Sequence, residues 1–293
     1  ARNVVIASGI QRFPKIPAIS QRFPESVLQL HASEYRKAGT LPDGAVLVVG
    51  SGQSGCQITE DLVDAGRTVY LATGRVARIP RRYRGRDALD WMRLAGLWDQ
   101  QTSDLDDPSM EFAAQPQISG VGRRGHTISL QGLQRRGVHL MGRLVDVVEG
   151  VVVTDDALAS HIAFADEFSS EFKSSVDAAI AAFDLEAPDA EEDPDDAPAG
   201  PDVADGGLTR LELDGTGTAT VIWCTGFTGD FSWVDLPVID DGGHPIHDRG
   251  VSPVPGITFL GFPWLHTRKS GIIYGIEEDA RHIADTILTN IGR

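Results

Sequence analysis

The clearest pattern along the chain is the alternation of apolar runs with helical periodicity between residues 45 and 72. Ala45-Val46-Leu47-Val48-Val49 is an unbroken apolar run, preceded by the turn Leu41-Pro42-Asp43-Gly44. Such a run suits a strand covered on both faces, as in a parallel sheet. Gly50 to Gly55 forms a glycine turn, and Cys56 to Ala65 then has helical spacing, with Ile58, Leu62 and Val63 on one side and Gly66 as the stop. Thr68 to Ala72 is a second apolar run. Strand, helix and strand within about 30 residues make a βαβ unit, so the fold class is α/β.

The same reading extends in both directions. Asn3 to Gly9 predicts a short buried strand, and Gln11 to Pro24, with Pro14, Pro17 and Pro24, an extended connector. Val27 to Lys37 fits a short helix, or a strand followed by a turn. Helices are predicted over Asp87–Leu97 and Ser129–Arg136, and strands over Gly137–Met141, which would extend the parallel sheet, and over Val145–Thr154. Residues 99–125 read as irregular. Leu158, Ile162, Phe164, Phe168, Phe172, Val176, Ile180 and Phe183 recur at near-helical spacing and predict one long helix over Ala157–Phe183, its aromatic residues facing a core. Glu186 to Pro201 is acidic and rich in Pro and Ala, and reads as a surface linker. Thr220–Cys224 and Gly256–Gly261 predict two further strands, and Gly271–Ile291 a closing helix.

Charge and composition narrow the function. The 293 residues carry a formal net charge of −16, which argues against a nucleic-acid partner. No apolar run of about 18 residues exists, so no membrane span is expected. The start of the chain has no signal-peptide pattern. Cys56 and Cys224 are the two cysteines and lie far apart, which disfavours a disulfide framework, a dithiol centre or a metal site and makes a reducing cytoplasm the expected location. Against the acidic background, Arg75, Arg78, Arg81, Arg82, Arg84, Arg86 and Arg93 form a basic cluster. It reads either as a solvated face or as an anion site. Acidic pairs such as Asp166-Glu167 and Glu277-Glu278 read as solvated helix faces.

Gly50-Ser51-Gly52-Gln53-Ser54-Gly55 follows a strand and opens a helix, which is the context that gives G-x-G-x-x-G its meaning. Gly50 makes the tight turn, Gly52 lets backbone approach a pyrophosphate, and Gly55 permits close helix–strand packing. The phosphates would sit on the helix N-terminus. The second strand ends Leu71-Ala72-Thr73-Gly74-Arg75, with no carboxylate for ribose hydroxyls. A carboxylate would repel a 2′-phosphate, whereas Thr73 and Arg75 can bind one, so NADPH is the expected nucleotide, with Arg78, Arg81 or Arg82 as helpers.

Three segments together, Leu30-His31-Ala32-Ser33-Glu34-Tyr35, the glycine motif, and Trp223-Cys224-Thr225-Gly226-Phe227, resemble the class B flavin-dependent monooxygenase group. That group takes in the flavin-containing, N-hydroxylating and Baeyer–Villiger monooxygenases, and the bacterial flavoproteins described as involved in K⁺ transport. The resemblance covers nearly the whole chain. It implies a flavoprotein with two dinucleotide-binding domains, an NADPH domain being inserted in an FAD domain. Residues 1–40 and 206–293 would then be FAD-domain portions, 41–155 the NADPH domain, and 156–205 the long helix plus acidic linker. Two departures stand out. The group's N-terminal glycine motif for FAD is absent, and Val5 to Gly9 matches its later strand, so the chain is expected to begin after the main FAD-binding segment. Of the group's F-x-G-x-x-x-H-x-x-x-Y/F pattern, His31 and Tyr35 fit, but Glu25 and Val27 stand at the Phe and Gly positions.

The resemblance further implies that Ser8-Gly9 and Thr225-Gly226 are interdomain crossings and that His31 couples nucleotide binding to domain motion. The loop Gly261 to Ser270, with Trp264, His266 and Arg268, would lie beside the flavin. A helix opening near Gly271 would point its N-terminus at the flavin's pyrimidine end. The implied activity is hydride transfer from NADPH to FAD, then O₂ activation as a C4a-(hydro)peroxyflavin and oxygenation of a small organic substrate. The open alternatives are a flavin NADPH oxidase or reductase without oxygenation, and a catalytically silent nucleotide-binding regulatory protein. Self-association into a homo-oligomer is left open.

Overall fold

The computed structural model describes residues 1–107, 110–111, 114–122, 124–200, 203 and 206–291. Parts of the irregular stretch 99–125, and the end of the acidic segment toward Asp205, therefore lie outside the described residues. In chain order the strands are β1 (Val4–Ile6), β2 (Phe13–Pro14), β3 (Leu28–His31), β4 (Ala45–Val49), β5 (Val69–Ala72), β6 (Arg82–Tyr83), β7 (Arg86–Asp87), β8 (His139–Met141), β9 (Leu144–Val148), β10 (Val151–Thr154), β11 (Arg210–Glu212), β12 (Thr218–Trp223), β13 (Phe227–Thr228) and β14 (Ile257–Phe259). The helices are α1 (Gln53–Asp64), α2 (Ala88–Leu94), α3 (Leu130–Arg135), α4 (Leu158–Phe183) and α5 (Ile276–Ile291).

Two compact units divide the chain. One comprises 16–91 and 114–225; the other comprises 1–15, 92–113 and 226–293. The first is built on a five-stranded sheet of order β3-β12-β4-β5-β8. Every pairing in it is parallel. All five residues of β4 are buried, as the apolar run demands. On one face Val46, Val48, Leu71 and Ile222 pack with Ile58 and Leu62 of α1, Leu130 and Leu133 of α3, and Leu158 and Ile162 of α4. On the other, Leu47, Val49, Tyr70, Val221 and Trp223 pack with Val147 and Val152 of a second sheet. That sheet, β11-β10-β9, is antiparallel. Its β9–β10 turn places Glu149 and Gly150 at φ 50° and 77°, the signature of a two-residue hairpin turn that reverses the chain.

Residues 27–37 take the strand-and-turn option, as β3. The βαβ sheet also takes in β3 and β12, which lie outside the interval 41–155. The acidic linker is anchored where it is described: Pro194–Asp196 forms a 3₁₀ turn, Asp195 accepts from Ser129 Oγ at 2.7 Å, and Asp196 pairs with Arg78 and Lys173. Prolines and like charges argued for a solvated segment, but local cations neutralise it. Asp166, expected on a solvated face, likewise accepts from Arg78 at 2.6 Å. Of the α4 aromatics, Phe172 is buried, whereas Phe183 is 62% exposed.

The second unit pairs β1 with β14 in parallel and β2 with β13 antiparallel. Ile6, Val238, Phe259, Phe262 and Leu265 form its apolar centre. The closing helix begins at Ile276 instead of Gly271. Gly271 has φ 80°, a left-handed conformation that does not propagate a helix. A Cβ there would lie 2.7 Å from Pro263 N. Among the described residues no helix is long and apolar enough to cross a membrane.

Candidate functional site: the glycine turn of the parallel sheet

The carboxyl ends of the parallel strands carry the predicted motif. Gly50 leaves β4 at φ 105°, and a Cβ on it would lie 2.5 Å from Cys224 O of the strand alongside. A Cβ on Gly55 would lie 1.8 Å from Gly50 O, so α1 packs onto the turn only because that residue is glycine. Gly52 is different. It is the N-cap of α1 at φ −69°, with nothing within 4 Å of its would-be Cβ. Internal packing does not ask for glycine there, but a ligand approaching the backbone would.

The first intrahelical bond of α1 runs from Cys56 N to Gly52 O at 3.0 Å. The N–H groups of Gln53, Ser54 and Gly55 precede it and have no intrahelical acceptor. No acidic residue occupies the first turn, so the positive end of the helix dipole is uncompensated by side chains. Ser54 is exposed and Ser51 buried. Ser51 Oγ accepts from Gly74 N at 3.0 Å and donates to Gly74 O at 3.2 Å, which ties the end of β5 to the glycine turn. Gln53 donates to Ser119 O at 2.5 Å and accepts from Ile118 N at 2.7 Å, and Gln117 donates to Ser51 O. The segment 117–119 is thereby clasped to the turn. Buried Glu60 extends the clasp, accepting from Val121 N at 2.7 Å and His126 Nε2 at 2.7 Å. Gln117 and Glu60 had no place in the sequence reading. An acid on the apolar side of α1 was the signal for Glu60.

Thr73 and Arg75 occupy the turn beyond β5, but in different states. Thr73 is buried; its hydroxyl lies 2.7 Å from Met141 O and 2.9 Å from His161 Nδ1, so it is engaged within the protein. Burial holds His161 below the usual imidazole range, with the positive charges of Arg143 and Arg75 acting in the same direction and Asp155 against them. Arg75 is exposed, its Cζ 3.7 Å from the centre of the Phe164 ring. The other arginines of the basic cluster near the turn are committed elsewhere. Arg78 is buried between Asp166 and Asp196. Arg81 pairs with Asp87 at 2.6 Å and Arg84 with Asp177 at 2.7 Å. Arg82 donates to the carbonyls of Arg124 and Gly125.

Cys56 and Cys224 flank the turn. Burial pushes both thiols up, that of Cys224 to about 12, so neither is a thiolate nucleophile near neutrality. His31 is fully buried at the end of β3, opposite Trp223. Its Nδ1 accepts from Ser33 N at 3.2 Å and lies 2.9 Å from Ser33 Oγ, and Tyr35 donates to Asp61 of α1 at 2.5 Å. These contacts tie His31 and Tyr35 into the first unit, while Ser33 and Glu34 between them are exposed. Thr225 and Gly226 stand on either side of the division between the units.

Trp264, His266 and Arg268 lie in the second unit. Trp264 is buried at φ 54°, and the loop is zipped to residues 100–102: Thr102 Oγ1 donates to Trp264 O at 2.8 Å, Thr102 N to His266 O at 2.9 Å, and Arg268 N to Gln100 O at 2.9 Å. Trp264 and His266 line a cleft of about 440 Å³ with His247 and Arg249. Burial and the Arg249 charge hold His266 below the usual imidazole range. Gly271 does not supply a helix N-terminus, and the first turn of α5 holds Glu277, Glu278 and Asp279. The anion-stabilising helix end expected beside a flavin therefore does not fit this chain.

A five-stranded parallel sheet with a glycine turn between β4 and α1 places this unit in the α/β class. The comparisons with known proteins agree with that class. The family described as L-lysine 6-monooxygenase/L-ornithine 5-monooxygenase matches residues 1–88. An uncharacterised CzcO-like oxidoreductase of Geobacillus kaustophilus is 28% identical over 298 residues, covering 99% of this chain and 66% of its own length. The CzcO oxidoreductase of Bacillus subtilis is 26% identical, covering 96% of this chain and 64% of its own length. The fold resembles that of a flavin-containing monooxygenase from Stenotrophomonas maltophilia, with TM-score 0.55 and 14% identity over 99% of this chain and 63% of that one. The chain is thus similar along its length to oxidoreductases of the flavin-dependent monooxygenase group, as its motifs implied. It spans just under two thirds of the length of these relatives.

Proposed function

We propose that the chain is part of an FAD-containing oxidoreductase of the monooxygenase type, and that its glycine turn binds NADPH. The observation that carries this is the space above Gly52: a glycine that packing does not require stands at the open N-terminus of α1, where a pyrophosphate would be held by backbone N–H groups. In this reading Gly52 and the N–H groups of Gln53, Ser54 and Gly55 hold the phosphates. Ser51 fixes the β5 turn, and Arg75 meets the 2′-phosphate. Thr73 acts through its backbone and its bond to His161 instead of as a direct ligand. The absence of an acid at the end of β5 supports NADPH over NADH. The unit of 16–91 and 114–225 would be the NADPH domain, and the other unit would belong to the FAD side.

When bound at this turn, NADPH would supply a hydride, and the chemistry an FAD would add is reduction of O₂ for oxygenation of a small organic substrate. This chain's own part is to bind and orient the nucleotide. FAD rests on the likeness to flavin monooxygenases and on the loop 261–270, and no step is assigned to Gly271.

Gly52→Asp tests the reading. Aspartate is a favourable N-cap and meets open space, so the thermal midpoint should hold or rise. Its carboxylate would repel the pyrophosphate, and NADPH affinity should fall by at least about 100-fold. Unchanged NADPH affinity in a folded variant would reject the site.

A further inference from the structure

The aromatic residues of α4 were expected to face a core, yet two residues on its first turns reach the turn beyond β5. His161 and Phe164 stand three apart, on one face of the helix. His161 Nδ1 lies 2.9 Å from the hydroxyl of Thr73, and the Phe164 ring lies 3.7 Å from Arg75 Cζ. Between these two contacts, both backbone groups of Gly74 are bonded to the Ser51 hydroxyl of the glycine turn. Arg75 also differs in its partner from three nearby arginines. Arg78, Arg81 and Arg84 each have a carboxylate partner, whereas the described partner of the Arg75 guanidinium is an uncharged aromatic face.

That difference has a chemical consequence. A carboxylate partner would occupy the in-plane N–H groups of the guanidinium, the same groups that grip a phosphate bidentately. A ring stacked on the guanidinium face leaves those edges available and keeps the full positive charge. The ring also restricts a long, flexible side chain before any ligand arrives, so less freedom is lost on binding. We propose that Phe164 is a positioning residue that presents Arg75 to the 2′-phosphate of NADPH, so that coenzyme choice is set from α4 as well as from the βαβ unit. This rests on the reading of the glycine turn as an NADPH site.

Calorimetric titration with NADP⁺ and NAD⁺ separates the two claims. The proteins are the unmodified chain, Arg75→Ala, Phe164→Leu, Phe164→Met and Phe164→Tyr, each checked for its thermal midpoint. The unmodified chain should prefer NADP⁺, and Arg75→Ala should abolish the preference. Phe164→Leu and Phe164→Met should reduce the preference about two- to fivefold, the size of an exposed cation–π contact, with NAD⁺ affinity unchanged. Phe164→Tyr, which keeps the aromatic face, should retain it. If Leu and Met weaken NADP⁺ and NAD⁺ equally, or leave the ratio unaltered while Arg75→Ala abolishes it, Phe164 has no positioning role and the NADPH reading stands. If the unmodified chain shows no preference, or Arg75→Ala preserves it, the NADPH reading fails and the inference falls with it. Should Leu fail to fold, Met carries the same comparison.

Discussion

At the residue scale, the three glycines of the motif do different work, and substitution separates them. Gly55→Ala forces a methyl group into Gly50 O and should cost about 1–3 kcal/mol of stability, the range for overpacking. The same change at Gly52 should cost less than about 1 kcal/mol, because only local helix-cap preferences are altered. Chemical denaturation of the two alanine variants checks this, and equal destabilisation would contradict the packing account. A pH dependence follows from the buried histidines. His161 and His247 are both held below the ordinary imidazole range by burial. The unfolded chain therefore binds their protons at a higher pH than the folded one does. Their contribution to stability is complete above the unfolded value of about 6.5 and is lost as pH falls below it. Thermal midpoints from pH 8 to 5 should decline from about pH 6.5 downward, and His161→Gln should flatten part of that decline. A midpoint independent of pH over this interval would exclude it.

At the element scale, much of the βαβ unit was legible because its signals are local. A fully buried five-residue strand, a helix stop at Gly66 and a glycine turn need no tertiary information. The hidden parts depend on long-range pairing. Nothing local reveals that β3 and β12 flank β4, since parallel neighbours come from distant segments. The acidic linker reads as solvated by composition, and only the fold brings Asp196 to Arg78 across 118 positions. Phe164 was read as part of the apolar stripe of a core helix and His161 carried no reading, because spacing reports a face and not what that face meets. The closing helix was placed five residues too early because periodicity does not register the left-handed Gly271. The α4–linker contact makes its own prediction. Arg78 is 2% exposed between two carboxylates, so Arg78→Met should destabilise the chain by on the order of 3 kcal/mol and speed proteolysis within 186–200. Resistance equal to that of the unmodified chain would mean that the ion pairs do not anchor the linker.

At the scale of the whole molecule, charge is distributed by purpose. In a chain of net charge −16, a phosphate-rich ligand needs local cations and an acid-free rim. Arg78, Arg81 and Arg84 meet their own carboxylates, whereas Arg75 stands exposed just beyond the β5 end of the turn. The account therefore turns on coenzyme choice. The direct measurement is the dissociation constant of NADPH and of NADH, followed by nucleotide fluorescence, for the unmodified chain and for Arg75→Ala. The account predicts tighter binding of NADPH than of NADH, by at least tenfold, and loss of most of that difference in the variant with NADH affinity little changed. Equal affinity for the two nucleotides, or a preference that survives Arg75→Ala, would contradict it.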